Sequence, residues 1–279
     1  MSRARVRLLL LPLFLLLAAG CGGQRSKAVT VKGSDTMVLL GQRWAETYMA
    51  EHPGAAVQVT GGGSGTGIAA LINGTTEICQ SSRPIKDDER KQIADRYGRQ
   101  VTEIVVARDG LAVYVAEGNP VAELTLGQIK EIYTGRITDW SQVGGPRSPI
   151  TLYGRENSSG TYEYFKEHVL EKADFAAAVQ TLPGTAAVVN AVARDPRGIG
   201  YGGAAYAKGV KEVAVKRDPA TPGVLPTEAA IRDGSYPVAR DLYFYLRGEP
   251  QAGARPFIDY VLSPEGQKLV VEVGYFPVR

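Results

Sequence analysis

Residues 28–48 read Ala-Val-Thr-Val-Lys-Gly-Ser-Asp-Thr-Met-Val-Leu-Leu-Gly-Gln-Arg-Trp-Ala-Glu-Thr-Tyr. Ala28 to Lys32 has the β-branched character of a strand, and Gly33-Ser34-Asp35-Thr36 is a turn. Met37, Leu40, Trp44 and Tyr48 then recur at spacings of 3, 4 and 4, one face of an amphipathic helix closed by His52-Pro53-Gly54. The same order repeats along the chain. Val57 to Thr60 reads as a second strand, and Ile68, Leu71 and Ile72 mark a helix ending near Asn73-Gly74. Lys86 to Arg96 is a charged helix, followed by a long extended stretch, Thr102 to Val115, interrupted at Asp109-Gly110. Further helices are expected around Leu126–Tyr133, Thr161–Lys172 and Ala186–Ala193, with a strand at Ile150–Tyr153. A second long strand, Asp241 to Leu246, precedes two terminal helices separated by Ser263-Pro264. Such alternation predicts an α/β protein with largely parallel sheets.

The 279 residues exceed what one compact core usually holds, so two lobes are expected. The long stretches near 102–115 and 236–246 would be the crossings between them. That gives lobe I as 28–107 plus 238–279 and lobe II as the insertion 108–237.

Charge and the N-terminal residues narrow the function. Arg3, Arg5 and Arg7 precede an apolar run of 12 residues, Leu8 to Ala19, then Gly20-Cys21. A basic head, an apolar centre and small residues make an export signal over residues 1–20, too short to cross a bilayer as an ordinary helix. Ala18-Ala19-Gly20-Cys21 resembles a bacterial lipobox, which implies a lipid on Cys21 and a tether over 21–27. Removing residues 1–20, with three arginines and no acids, takes the net charge from +3 to 3 − 3 = 0. A nucleic-acid binder would want a basic surplus, so that class is excluded. His52 and His168 lack metal-ligand spacing with any Cys or acid cluster, so zinc chemistry has nothing to stand on, and no cofactor is expected.

Four strand-to-helix turns carry the chemistry. They are Gly33-Ser34-Asp35-Thr36, Gly61-Gly-Gly-Ser64-Gly-Thr-Gly67, Ser81-Ser82-Arg83, and Arg155-Glu156-Asn-Ser-Ser159-Gly160-Thr161. Glycine permits close backbone approach, hydroxyls donate hydrogen bonds, and each following helix offers free N–H groups and a positive dipole end. Each turn alone could be an ordinary helix cap. Together they describe an anion site. No nucleotide-binding glycine motif, phosphate-binding P-loop or nucleophile elbow fits the same residues, and no histidine stands where a hydrolase would need a base.

In this order the turns resemble the solute-binding protein of the bacterial high-affinity phosphate ABC transporter. The resemblance continues through Leu126-Gly-Gln-Ile-Lys-Glu-Ile-Tyr-Thr-Gly135, Asp139-Trp140, Gly198-Ile-Gly-Tyr201 and Ser263-Pro-Glu-Gly-Gln267. It implies a two-lobed periplasmic-binding-protein fold of type II, each lobe a mixed, mostly parallel sheet flanked by helices. By position it assigns phosphate contacts to Ser64, Arg155, Ser159, Gly160 and Thr161, with Ser34, Asp35, Thr36, Ser82 and Arg83 as further candidates. Arg155 is the expected planar, two-pronged donor. Ser82 stands where better-known members carry the aspartate that accepts the phosphate proton. Asp35 is the expected substitute, and Glu156 the group that orients Arg155. The implied protein is not an enzyme. It is a lipid-anchored, extracytoplasmic monomer that gives inorganic phosphate to an ABC permease. A receptor for sulfate, molybdate or tungstate, or a phosphoester hydrolase, is the alternative.

Overall fold

A computed structural model describes residues 28–278. The export signal, Cys21 and the tether lie outside the described residues. Along the chain run β1 (Val29–Gly33), α1 (Asp35–Glu51), β2 (Val57–Thr60), α2 (Ser64–Asn73), β3 (Ile78–Ser81), α3 (Asp87–Tyr97), β4 (Val101–Val115) and β5 (Glu123–Thr125). Then come α4 (Leu126–Tyr133), β6 (Thr151–Arg155), α5 (Gly160–His168), β7 (Gln180–Leu182), α6 (Thr185–Arg194), β8 (Gly198–Gly203) and β9 (Lys211–Lys216). The described chain closes with α7 (Glu228–Arg232), β10 (Ala239–Arg247), α8 (Arg255–Leu262) and α9 (Pro264–Val273).

Local chemistry sets the helix ends. Thr125 and Gln128 exchange hydrogen bonds as a capping box before α4. Ser263 accepts from the Gly266 N–H, with Pro264 opening α9. The α1 face reads as expected: Met37, Leu40, Trp44 and Tyr48 are all buried. Each such side chain contributes about 1.5–3 kcal/mol by leaving water, and the Trp44 indole also donates to the Gly266 carbonyl at 2.8 Å.

The fold is α/β, as expected. Strand order is β2-β1-β3-β10-β4-β8-β6-β7, with β9 on β4 and β5 on β9. One core gathers around Trp44, Phe244 and Phe257 between β1, β10, α1 and α8. A second gathers around Leu111, Tyr133, Phe165 and Tyr201. β4 joins them: residues to Gly110 pair with β10, and residues from Leu111 pair with β8.

Two expectations need correction. The stretch ending at Val115 is not interrupted at Asp109-Gly110. It is one strand of 15 residues, Val101–Val115. Asp109 turns inward to a buried ion pair with its register partner Arg240, and a Cβ on Gly110 would lie 2.4 Å from Pro226. The Asp-Gly pair therefore serves burial, not a turn. Among the described strands five pairs are parallel and four antiparallel, the mixed, mostly parallel arrangement expected. β10 runs against both β3 and β4, because the returning chain enters the first sheet from its far end. Finally, α5 stops at His168 rather than Lys172, since Glu171 and Lys172 take left-handed φ values of 50° and 68°.

Candidate anion-binding site

The four turns meet at one place. Ser34 precedes α1, yet its hydroxyl makes no capping bond. It donates instead to the Ser82 Oγ at 2.9 Å. Ser64, first residue of α2, accepts from the Ser82 backbone N–H at 3.1 Å and lies 3.4 Å from the Ser82 hydroxyl. From the other core, Thr161 in the first turn of α5 shares a hydrogen bond with Thr36 at 2.9 Å. Ser159 does act as the α5 cap, accepting from the N–H groups of Thr161 and Tyr162. Ser34, Thr36, Ser64, Ser82 and Thr161 are all buried.

Backbone groups draw the turns together. The Gly65 N–H donates to the Ser158 carbonyl at 2.9 Å. Gly63 sits at φ +92°, and a Cβ there would lie 2.3 Å from that same carbonyl oxygen. Gly160 would carry a Cβ 2.3 Å from the Ser64 Oγ. Both glycines are fixed by contact, and Gly63 by its conformation as well. The starts of α1, α2 and α5 thus surround one cluster of hydroxyls, and their dipole ends favour negative charge there.

Arg155, at the end of β6, is buried beside the cluster. Its Nη2 donates to Asp35 at 2.8 Å and Glu156 at 3.1 Å, its Nε to Glu156 at 3.3 Å, and its Nη1 to Thr185 at 3.0 Å. These bonds use four of the five N–H donors of a guanidinium. Arg155 is therefore a fixed cation whose second Nη1 hydrogen has no acceptor among the described residues. It is less open to a two-pronged contact than the sequence suggests. Asp35 accepts from Arg155 and from the Gly62 N–H at 2.8 Å.

Arg83 is not brought into this group. Its Nη1 and Nη2 form a fork onto Glu89 at 2.8 and 2.7 Å, and its Nε pairs with Glu163 of α5. Burial pushes the Glu89 carboxyl up, but the Arg83 fork and the Lys86 N–H outweigh it and hold the group below the usual carboxylate range.

Sequence reasoning missed the floor of the site. Arg240 in β10 is buried, donates Nε and Nη2 to Asp109 at 3.0 and 2.7 Å, and supports the Ser82 carbonyl from Nη1 at 3.2 Å. Tyr206 donates to the Asp35 carbonyl at 2.9 Å, and Tyr275 donates to that of Thr36. A lone arginine or tyrosine in a strand or loop gives no spacing signal, and only the tertiary pairing reveals these roles. No group of three or more His, Cys, Asp or Glu able to hold a metal occurs among the described residues. Cys79 is a buried free thiol whose pKa burial pushes up, so it is unreactive.

Comparison with known proteins shows the family of the chain. The model of the PBP superfamily domain matches residues 21–265. The phosphate-binding protein PstS of Pseudomonas aeruginosa is 36% identical over 278 residues, covering 94% of this chain and 85% of that one. That of Bacillus subtilis is 31% identical, covering 98% and 93%. Among solved structures, a candidate substrate-binding protein of a phosphate ABC transporter from Clostridium perfringens, with bound phosphate, superposes with a TM-score of 0.81. It is 30% identical and covers 91% of this chain and 100% of that one. An ABC-type phosphate transport receptor from Vibrio cholerae gives a TM-score of 0.72 at 28% identity, with 89% and 99% covered.

Proposed function

The chain belongs to the PBP superfamily and, within it, to the phosphate-binding proteins named PstS, and from that footing we propose that it is the extracytoplasmic receptor of a phosphate ABC importer. It is a transport receptor and not an enzyme. Inorganic phosphate binds among Ser34, Asp35, Thr36, Ser64, Ser82, Arg155, Ser159, Gly160 and Thr161. The observation that carries this is the gathering of five buried hydroxyls, Ser34, Thr36, Ser64 and Thr161 at the starts of α1, α2 and α5 and Ser82 in the turn after β3. Hydroxyl and N–H donors to a multiply charged oxyanion form charge-assisted hydrogen bonds, about twice as strong as neutral ones.

Residues 28–107 with 238–279 form one lobe and 108–237 the other, hinged where β4 and β10 pass between the cores. Phosphate selects the closed arrangement, in which Thr36 meets Thr161. The mature chain is a monomer tethered by lipid on Cys21, and it presents the closed form to permease subunits. Calorimetric titration of the mature protein against phosphate, sulfate, molybdate and tungstate tests the reading. Phosphate should bind in preference to the other three anions. No heat with phosphate, or tighter binding of another oxyanion, overturns it.

A further inference from the structure

We propose that Glu163, acting through Arg83, is a specificity-determining residue that bars phosphate esters from the site. This rests on the phosphate reading above. Arg83 follows Ser82 directly in the chain, and Glu163 follows Thr161 by two positions. The two therefore extend outward from the turns that meet over the hydroxyl cluster. Arg83 Nε and Lys86 Nζ both pair with the Glu163 carboxylate, one on each oxygen. The Arg83 fork onto Glu89 fixes the guanidinium from behind, at 2.8 and 2.7 Å.

Outside this pair lies a cavity of about 680 Å³ lined by Arg83, Pro84, Lys86, Tyr162, Glu163 and Lys172, among others. The hydroxyl cluster does not line it. Ser82 and Thr161 are wholly buried, whereas the Arg83 and Glu163 side chains are 6% and 28% exposed. The ion pair is thus the partition between cavity and cluster. On the phosphate reading, the unsubstituted anion is held behind the partition by the hydroxyls of Ser34, Ser64, Ser82 and Thr161. An ester replaces one oxygen's proton with carbon, and that carbon needs an exit between the turns of Ser82 and Thr161, where the Arg83–Glu163 pair stands. Its methyl group would separate the Arg83–Glu163 pair, leaving Arg83 with Glu89 and Glu163 with Lys86, an unfavourable exchange in a half-buried place.

The test uses the mature protein, inorganic phosphate and methyl phosphate. Wild type should bind phosphate and exclude methyl phosphate. Glu163→Ala opens the partition; alanine is a good helix former at this half-exposed α5 position, and Arg83 keeps Glu89. In that variant methyl phosphate should displace bound phosphate, and phosphate should dissociate about tenfold faster as one member of a charge pair is lost. Glu163→Ser provides the same opening should the alanine variant be recovered poorly. Failure of wild type to bind phosphate would overturn the phosphate reading itself. Phosphate binding with methyl phosphate equally excluded by wild type and both variants, or equally accepted by wild type, overturns the role of Glu163.

Discussion

Gly160 packs against Ser64 so closely that a Cβ at position 160 would lie 2.3 Å from the Ser64 Oγ and 2.9 Å from the Ser82 Oγ. The two residues belong to different cores, α5 on one side and α2 on the other, so the contact exists only with the turns brought together. Gly160→Ala should oppose that arrangement rather than unfold either core. Overpacking costs about 1–3 kcal/mol, which corresponds to a loss of phosphate affinity of roughly 5- to 150-fold. Gly118, with no atom within 4 Å of an added Cβ, is the control. Gly118→Ala should leave affinity unchanged in the same titration.

Arg155 should tolerate neither truncation nor lysine. Its four bonds run to Asp35, Glu156 and Thr185, a spread that one compact ammonium cannot cover. Losing one partner of a buried charge pair costs about 2–5 kcal/mol, so Arg155→Ala should weaken phosphate binding roughly 30-fold or more. Arg155→Lys should recover little of this. Ser158→Ala should cost far less, because Ser158 meets the glycine loop through its carbonyl. Equal losses from Arg155→Ala and Ser158→Ala would show that Ser158, and not Ser159, is the serine of this turn that holds the anion.

The sequence made some of this legible and hid the rest for physical reasons. Met37, Leu40, Trp44 and Tyr48 announce α1 because a 3.6-residue period is local. The glycine and hydroxyl turns could be read because cap chemistry is local too. Ser34 then departs from that chemistry, since tertiary contact gives its hydroxyl a better partner in Ser82. β8 and β9 had no local signature strong enough to place them; β8 is held as an inner strand between β4 and β6. Arg83 reads as a ligand from its place after Ser82, and only the approach of Glu89 and Glu163 from separate helices turns its side chain elsewhere.

Breaking the pair beneath the site should be costly, and removing it should not be. Arg240 and Asp109 are both buried, so Arg240→Met leaves an uncompensated carboxylate and should destabilise by about 3–5 kcal/mol. The double change Arg240→Met with Asp109→Leu should recover most of that in urea denaturation. Its phosphate affinity should stay reduced, because the Ser82 carbonyl has lost the Nη1 donor 3.2 Å away.

Glu212 gives the protein a pH-dependent stability. It faces Tyr114 across the β4–β9 pairing, and its Oε1 is buried with no hydrogen-bond partner among the described residues. Burial, with a smaller push from Asp109, raises its carboxyl to about 7. The unfolded group titrates near 4.3. Between these values the unfolded chain has released the proton that the folded chain keeps, so stability is fully present below the lower value and falls as pH rises through the upper one. Glu212→Gln should flatten this decline. Melting temperatures at pH 5 and pH 8 should differ less in the variant than in wild type, and an equal difference would remove Glu212 as its source.

Discrimination against sulfate should depend on Asp35. At neutral pH phosphate carries a proton and sulfate does not, so a fixed acceptor rewards the first and repels the second. Ser82 can accept a hydrogen bond but brings no charge. Two carboxylates adjoin the hydroxyl cluster. Glu156 takes both its bonds from Arg155, Oε2 from Nε and Oε1 from Nη2, and neither of its chain neighbours is a member of the hydroxyl cluster, so its work is orientation. Asp35 takes one N–H on each oxygen, from Gly62 and Arg155. Each carboxylate oxygen can accept a second bond, and Asp35 directly precedes Thr36 in the cluster. Asp35→Asn should therefore admit sulfate as a competitor, at some cost in phosphate affinity from the lost Arg155 pairing. Glu156→Gln should lower affinity for phosphate while sulfate stays excluded. The ratio of sulfate to phosphate dissociation constants separates the two, since a loss of packing would move both anions together. If Asp35→Asn keeps the wild-type ratio, the carboxylate serves only to anchor Arg155, and the phosphate proton finds its acceptor among the hydroxyls of Ser34, Ser64 and Ser82.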